Sequence, residues 1–203
     1  MNVEAQFEPI LDGILTDGYG MMDNFLTPAD VAVLAQRLRN RRAAGQFRAA
    51  GVGSGPASVQ TQIRGDEILW LDGATATPEE KRFWERIGQF VQYVNRTCYL
   101  GLRDSEFHYA LYPPGTFYRR HLDQFRQDSR RKLSVICYLN TDWREEDGGQ
   151  LALFLPNDDG TERTVTVAPM GGRLVCFESG RLEHEVRPAT RERLSLTGWL
   201  KTA

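Results

Sequence analysis

Residues 132–140 read KLSVICYLN. Leu133, Val135, Cys137 and Leu139 alternate there with Ser134, Ile136 and Tyr138. Successive side chains of a strand point to opposite faces, so a period of two predicts a strand with two dissimilar faces. The same period recurs in GGQLALFLP (148–156), RTVTVAP (163–169), GRLVCFES (172–179) and RLSLTGWLK (193–201), with Pro, Gly and Asp between the segments. Short strands at such regular intervals predict a sandwich or barrel.

Upstream of about Phe107 the period is helical. In TPADVAVLAQRLRNRRAAG (27–45) Thr27 caps, Pro28 suits the first turn, Asp30 completes a capping box, and Val31, Leu34, Ala35 and Leu38 form one apolar stripe that Gly45 ends. TPEEKRFWERIGQFVQYVNR (77–96) repeats the grammar, with Thr77 and Glu80 as the box and Phe83, Trp84, Ile87, Phe90, Val91 and Val94 as a broad apolar face. Two such helices need a surface to cover. The expected class is α+β, with the helices laid across one sheet of a β-barrel or jelly roll.

The totals fit one domain over residues 1–203, with 1–100 as mainly helical support and 105–203 as the jelly-roll core. The hydrophobic share of 41%, charged share of 26% and 19 Gly argue for a globular chain rich in turns. A net charge of −2 gives no global attraction to nucleic acid or anionic lipid. Cys98, Cys137 and Cys176 are odd in number and form no C-x-x-C pair, which suits a reducing compartment. The acidic start and the lack of a long apolar run predict neither a leader nor a membrane span, so the expected location is the cytoplasm. The glycine-rich stretch AGVGSGPAS (50–58) lacks the lysine and helix start that a phosphate loop needs.

Chemistry concentrates around YRRHLDQF (118–125). On a strand, His121 and Asp123 share a face and can converge on one ion. Alone, H-x-D is more often a coincidence of a half-exposed strand. His184, several strands later, would complete two histidines and a carboxylate, the facial set that holds Fe(II) with open positions for substrate and dioxygen. Zinc hydrolysis uses similar ligands. Arg193 follows His184 by nine residues, and Arg193, Ser195, Thr197 and Trp199 share one strand face, with Leu194, Leu196 and Leu200 on the other. A polar row turned inward is costly without partners and makes sense around an anion that a guanidinium can grip through two hydrogen bonds. A row turned to water remains the alternative. His108 reads as a core or supporting residue, and the basic runs 119–120 and 130–132 read as a solvated face.

With these residues in place, the sequence resembles the Fe(II)- and 2-oxoglutarate-dependent dioxygenases, and within them the prolyl hydroxylases related to those acting on hypoxia-inducible factor. The resemblance covers nearly the whole chain. It rests on H-x-D, the distal His and the Arg, and more narrowly on QIRGDEILWLD (62–72), YPPGTFYRRHLD (112–123) and CYLNTDW (137–143). It implies a double-stranded β-helix core with Fe(II) at His121, Asp123 and His184. Arg193 and Tyr138 would hold the distal carboxylate of 2-oxoglutarate, Tyr112 would lie near the iron-bound end, and Thr197 close to the carboxylate. The resemblance also implies a lid drawn from AGVGSGPASVQTQIRGDE (50–67) in the first hundred residues, over a catalytic core at 105–203; Arg64 and Asp66 would lie on that substrate-facing loop, pairing with one another or with substrate backbone. The implied reaction is trans-4 hydroxylation of a prolyl residue in a protein, using O2, releasing succinate and CO2, with ascorbate as reductant. A translation factor is the candidate target class. No nucleic-acid or membrane partner is expected, and the oligomeric state stays open. Competing readings are a hydroxylase of a free amino acid or other small molecule, a nucleic-acid demethylase, and a non-catalytic metal-binding jelly roll. The region after Asp123 and the loop before His121 depart from the animal relatives.

Overall fold

The computed structural model describes residues 5–51, 58–124, 129–157 and 159–203. Eleven strands among them form two antiparallel sheets. In chain order they are β1 (Tyr19–Met22), β2 (Arg48–Ala49), β3 (Glu67–Trp70), β4 (Asp104–Tyr112), β5 (Tyr118–His121), β6 (Arg131–Tyr138), β7 (Leu151–Pro156), β8 (Glu162–Val167), β9 (Leu174–Glu178), β10 (Glu183–Val186) and β11 (Arg193–Lys201). The larger sheet runs β1-β9-β6-β11-β4-β3-β2 and the smaller β5-β10-β7-β8. This is the jelly roll that the alternating segments predict.

Three helices, α1 (Glu8–Asp17), α2 (Pro28–Ala43) and α3 (Pro78–Cys98), cover the outer face of the larger sheet. The reason lies in the alternation. Leu133, Val135, Cys137 and Leu139 of the β6 segment and Leu194, Leu196 and Leu200 of β11 all join the helix-facing core with Phe83, Ile87, Phe90, Leu34 and Leu38. Phe83 and Trp84 meet Phe107 edge-on at 5.0 and 5.3 Å between ring centroids.

Capping goes further than the sequence implies. Thr77 and Glu80 form the expected box at the start of α3. Glu80 is buried and also accepts from the Tyr109 hydroxyl (3.1 Å) and Arg41 (3.2 Å), so one carboxylate joins α3, β4 and α2. At α2 the expected box is only half formed: the Thr27 hydroxyl accepts from the Asp30 N–H, but the Asp30 carboxylate accepts from that same hydroxyl in place of the Thr27 backbone N–H. Close packing needs glycine at two points. A Cβ on Gly20 would lie 2.1 Å from the Ile10 carbonyl oxygen, and one on Gly198 2.1 Å from that of Glu106.

The first hundred residues are less purely helical than the sequence suggests, because β1, β2 and β3 extend the larger sheet at both edges. These strands are four residues or fewer, too short for a period to show. No helix among the described residues is long and apolar enough to cross a membrane.

Candidate active site

Between the sheets lies a cavity of about 710 Å³, a size typical of small-ligand sites. Strand pairing builds its centre. His121 on β5 lies directly across from His184 on β10, and Asp123 follows β5 at a bend. Donor atoms of His121, Asp123 and His184 all fall within 4.8 Å of one another. The Nε2 atoms of His121 and His184 each stand 3.5 Å from a different Asp123 oxygen.

The surroundings orient all three groups and shift the titration of His184 and Asp123. Nδ1 of His121 donates to the Arg119 carbonyl (2.7 Å) and Nδ1 of His184 to that of Leu182 (3.2 Å), which turns each Nε2 toward the carboxylate. Burial and the neighbouring His121 push His184 down to about 4, against the pull of Asp123, so its ring is neutral at neutral pH. Burial alone would raise Asp123, but both imidazoles and the Ser134 hydroxyl outweigh it and hold the carboxyl far below its ordinary range. Ser134 donates to Asp123 at 2.7 Å and lies 2.9 Å from Ser179. An ionised carboxylate and two imidazole Nε2 atoms turned inward are a donor set that fits a divalent transition metal.

Behind this cluster Arg193 is 1% exposed, and β11 pairs it across from Tyr112. Its Nε donates to the Gly149 carbonyl (2.8 Å), and its guanidinium carbon stands 5.2 Å from the Tyr112 ring and 5.0 Å from the Tyr138 ring. Nη2 of Arg193 and the Tyr138 hydroxyl are both buried without a hydrogen-bond partner among the described residues. Leaving two such donors unpaired costs about 1 to 3 kcal/mol each, and more for the charged one. A carboxylate can satisfy both. The polar row of β11 therefore faces inward, while Leu194, Leu196 and Leu200 face the helices.

The comparisons with known proteins agree with this geometry. Residues 107–201 match the 2OG-Fe(II) oxygenase superfamily. The crystal structure of a Pseudomonas putida prolyl-4-hydroxylase superposes with a TM-score of 0.85 at 43% identity, over 97% of this chain and 99% of that one. The chain belongs to the prolyl 4-hydroxylase family of 2-oxoglutarate- and Fe(II)-dependent oxygenases. A Trichoplax adhaerens prolyl hydroxylase, solved with a hypoxia-inducible-factor oxygen degradation domain peptide, is 28% identical with a TM-score of 0.86 over 98% of this chain and 90% of that one. Human Egl nine homolog 1 is 28% identical over 193 residues, which is 90% of this chain and 43% of that protein. The chain spans about half the length of the curated relatives it matches.

The remaining residues singled out from the sequence divide by position. Thr197 lines the cavity but sits roughly 13 Å along β11 from Arg193 at a rise of about 3.3 Å per residue, with its hydroxyl 3.0 Å from that of Ser195. Arg64 and Asp66 line the cavity and pair with one another through two hydrogen bonds of 2.7 and 2.6 Å. Residues 52–57 of the expected lid (50–67), and residues 125–128 after the H-x-D motif, lie outside the described residues. His108 is a cavity wall residue packed between Trp70 and Trp199, at 4.9 and 5.8 Å between ring centroids. The basic runs are largely partnered: Arg120 pairs with Glu162 and Glu183, and Arg131 pairs with Glu106 and covers Trp199.

Sequence reasoning missed Ser134, Ser179 and Tyr118. Ser134 carried a signal, since it shares the Tyr138 face of an otherwise apolar strand. Tyr118 carried none, because its role depends on what approaches it across space.

Proposed function

We propose that this chain hydroxylates a prolyl residue of a protein substrate at the trans-4 position, consuming O2 and 2-oxoglutarate and releasing succinate and CO2. One oxygen atom enters the substrate C–H bond and the other the succinate. The observation that carries the reading is the pair of unpartnered buried donors, Arg193 and Tyr138, set behind two histidines and an aspartate that converge.

His121, Asp123 and His184 are the residues that would hold Fe(II), which when bound supplies the activation of dioxygen against the cosubstrate. The chain's own contribution is orientation. Arg193 and Tyr138 fix a dicarboxylate by its far end, which directs its other end toward the imidazoles. Ser134 and Ser179 hold the Asp123 carboxylate in one rotamer. Trp70, His108 and Trp199 form an aromatic wall of the cavity, suited to a ring such as proline.

The peptide-bound relative from Trichoplax adhaerens supports a protein target over a free amino acid. The test incubates purified protein with Fe(II), 2-oxoglutarate and host-cell lysate. The expected result is stoichiometric succinate and a +16 Da prolyl residue in one protein. A visible charge-transfer band on anaerobic addition of Fe(II) and 2-oxoglutarate is expected as well, and its absence would remove the cosubstrate assignment.

A further inference from the structure

The two imidazoles at the centre are held in different ways. His184 is buried on an inner strand of the smaller sheet and packs against the buried Phe177, at 4.6 Å between ring centroids. His121 lies on β5, the edge strand, which is four residues long and hydrogen-bonded within its sheet to β10 alone. A short edge strand is the least constrained part of a sheet. Within the strand the His121 ring has one anchor, its Nδ1 hydrogen bond to the Arg119 carbonyl, and further support has to come from outside the sheet.

That support comes from residues 62–66. The Gly65 N–H donates to the Phe117 carbonyl and the Arg119 N–H to that of Ile63, both at 2.9 Å, while Arg119 Nε reaches the Gln62 carbonyl at 2.7 Å. Arg64 and Tyr118 form an antiparallel bridge. The segment thus pairs with the chain leading into β5. Its side chains continue the contact. The Tyr118 ring stacks on the His121 imidazole at 3.5 Å and 16°, and the Arg64 guanidinium carbon lies 4.1 Å from the Tyr118 centroid. Two planar groups cannot share one ring face at such distances, so Tyr118 is clamped between them. Asp66, 2% exposed, grips Arg64 through both oxygens, and Gly51 adds a carbonyl contact at 3.3 Å. The fork of the guanidinium is thereby fixed in a plane that the ring can stack on.

We propose that Arg64, Asp66 and Tyr118 are positioning residues that hold the His121 imidazole in its metal-binding orientation, so that the 62–66 segment acts on the metal centre and not on substrate alone. This rests on the reading of His121 as a metal ligand. Groups that orient a ligand imidazole typically change metal affinity by 10- to 100-fold when removed.

Removing one member of a buried ion pair leaves a stranded charge, so the informative variant replaces both: Arg64→Met with Asp66→Leu. The probes are Mn(II) alone, titrated by electron paramagnetic resonance, and the imidazole ¹⁵N spectrum of the metal-free protein. With only three histidines each ring is resolved. The double variant is expected to lose about 10-fold or more in Mn(II) affinity, and His121 alone should pass from one tautomer to an exchanging mixture while His184 and His108 stay unchanged. Tyr118→Leu should do the same, and it decides the matter if the double variant does not fold. Tyr118→Phe keeps the stacking ring and should restore both signals. Unchanged affinity and an unchanged His121 spectrum in a folded variant would overturn the proposal, as would a Tyr118→Phe protein as impaired as Tyr118→Leu. Wild-type protein that fails to bind Mn(II) would instead overturn the metal-site reading itself.

Discussion

The two faces of β11 perform different work with alternate residues of one strand. Leu194, Leu196 and Leu200 are fully buried against the helices, where they meet other apolar side chains. Arg193, Ser195, Thr197 and Trp199 turn to the cavity, where the Arg193 Nη2 and Trp199 Nε1 donors lack partners among the described residues. β6 shows the same division, with Leu133, Val135 and Cys137 outward and Ser134 and Tyr138 inward. The outer face thus supplies stability, and the inner face holds polar groups in place at some cost to stability. Keeping the two on opposite sides of one rigid sheet means that helix packing fixes the positions of the polar row.

The largest effect should come from the inner centre. His184→Ala or Asp123→Ala is expected to abolish turnover, measured as succinate release, and to remove Mn(II) binding, while the melting temperature of the metal-free protein stays close to wild type. A variant that keeps turnover would show that the converging side chains are not the metal site. A variant that loses the fold would break the division of labour between the faces.

On the outer face the signature should reverse. Leu196→Ala removes a fully buried side chain between β11 and the helices, at an expected cost of about 2 to 5 kcal/mol in denaturant unfolding. The folded fraction should bind Mn(II) and 2-oxoglutarate as before. Next in size, Arg193→Met exchanges a buried cation for an apolar chain of similar length. Each hydrogen bond to a charged group is worth about 1.5 to 3 kcal/mol, so 2-oxoglutarate affinity should fall roughly 10- to 100-fold per bond lost. Mn(II) affinity should hold, and stability should be unchanged or raised. Equilibrium titration of the two ligands separates these outcomes.

Much of this contrast was legible in the sequence because it is local. A period of two shows which residues share a face, and H-x-D with a distal His and Arg names chemistry whose residue types are rarely spent on packing. What escaped was non-local. β1, β2 and β3 are too short to display a period and exist only because a longer strand lies alongside. Tyr118 became significant through the approach of Arg64, and Glu80 through Tyr109 and Arg41. Thr197 was legible as facing the cavity, but its distance from Arg193 follows from the rise along the strand and the reach of side chains.

The smallest predicted effect lies at neither face, and it serves as the control. Arg42 at the end of α2 pairs with Glu67 of β3 through two hydrogen bonds of 2.8 Å, with both side chains about a third exposed. The Arg42 hydrogen bonds hold the Glu67 carboxyl below its ordinary value of 4.5. A carboxyl lowered by folding contributes stability above its unfolded value and loses it as the pH falls through its folded one. At this exposure the pair is worth about 0 to 1 kcal/mol. Glu67→Gln should therefore cost less than about 1 kcal/mol at pH 7. The gap from wild type should close as the pH is lowered past 4.5, because the protonated Glu67 carboxyl and the amide that replaces it are then both uncharged. Glu67 adjoins Asp66, so Mn(II) affinity is the second measurement. If a one-charge change beside the ion pair leaves metal binding intact while the Arg64 and Asp66 replacements do not, the effect belongs to the stacked guanidinium and not to the general field of the sheet edge.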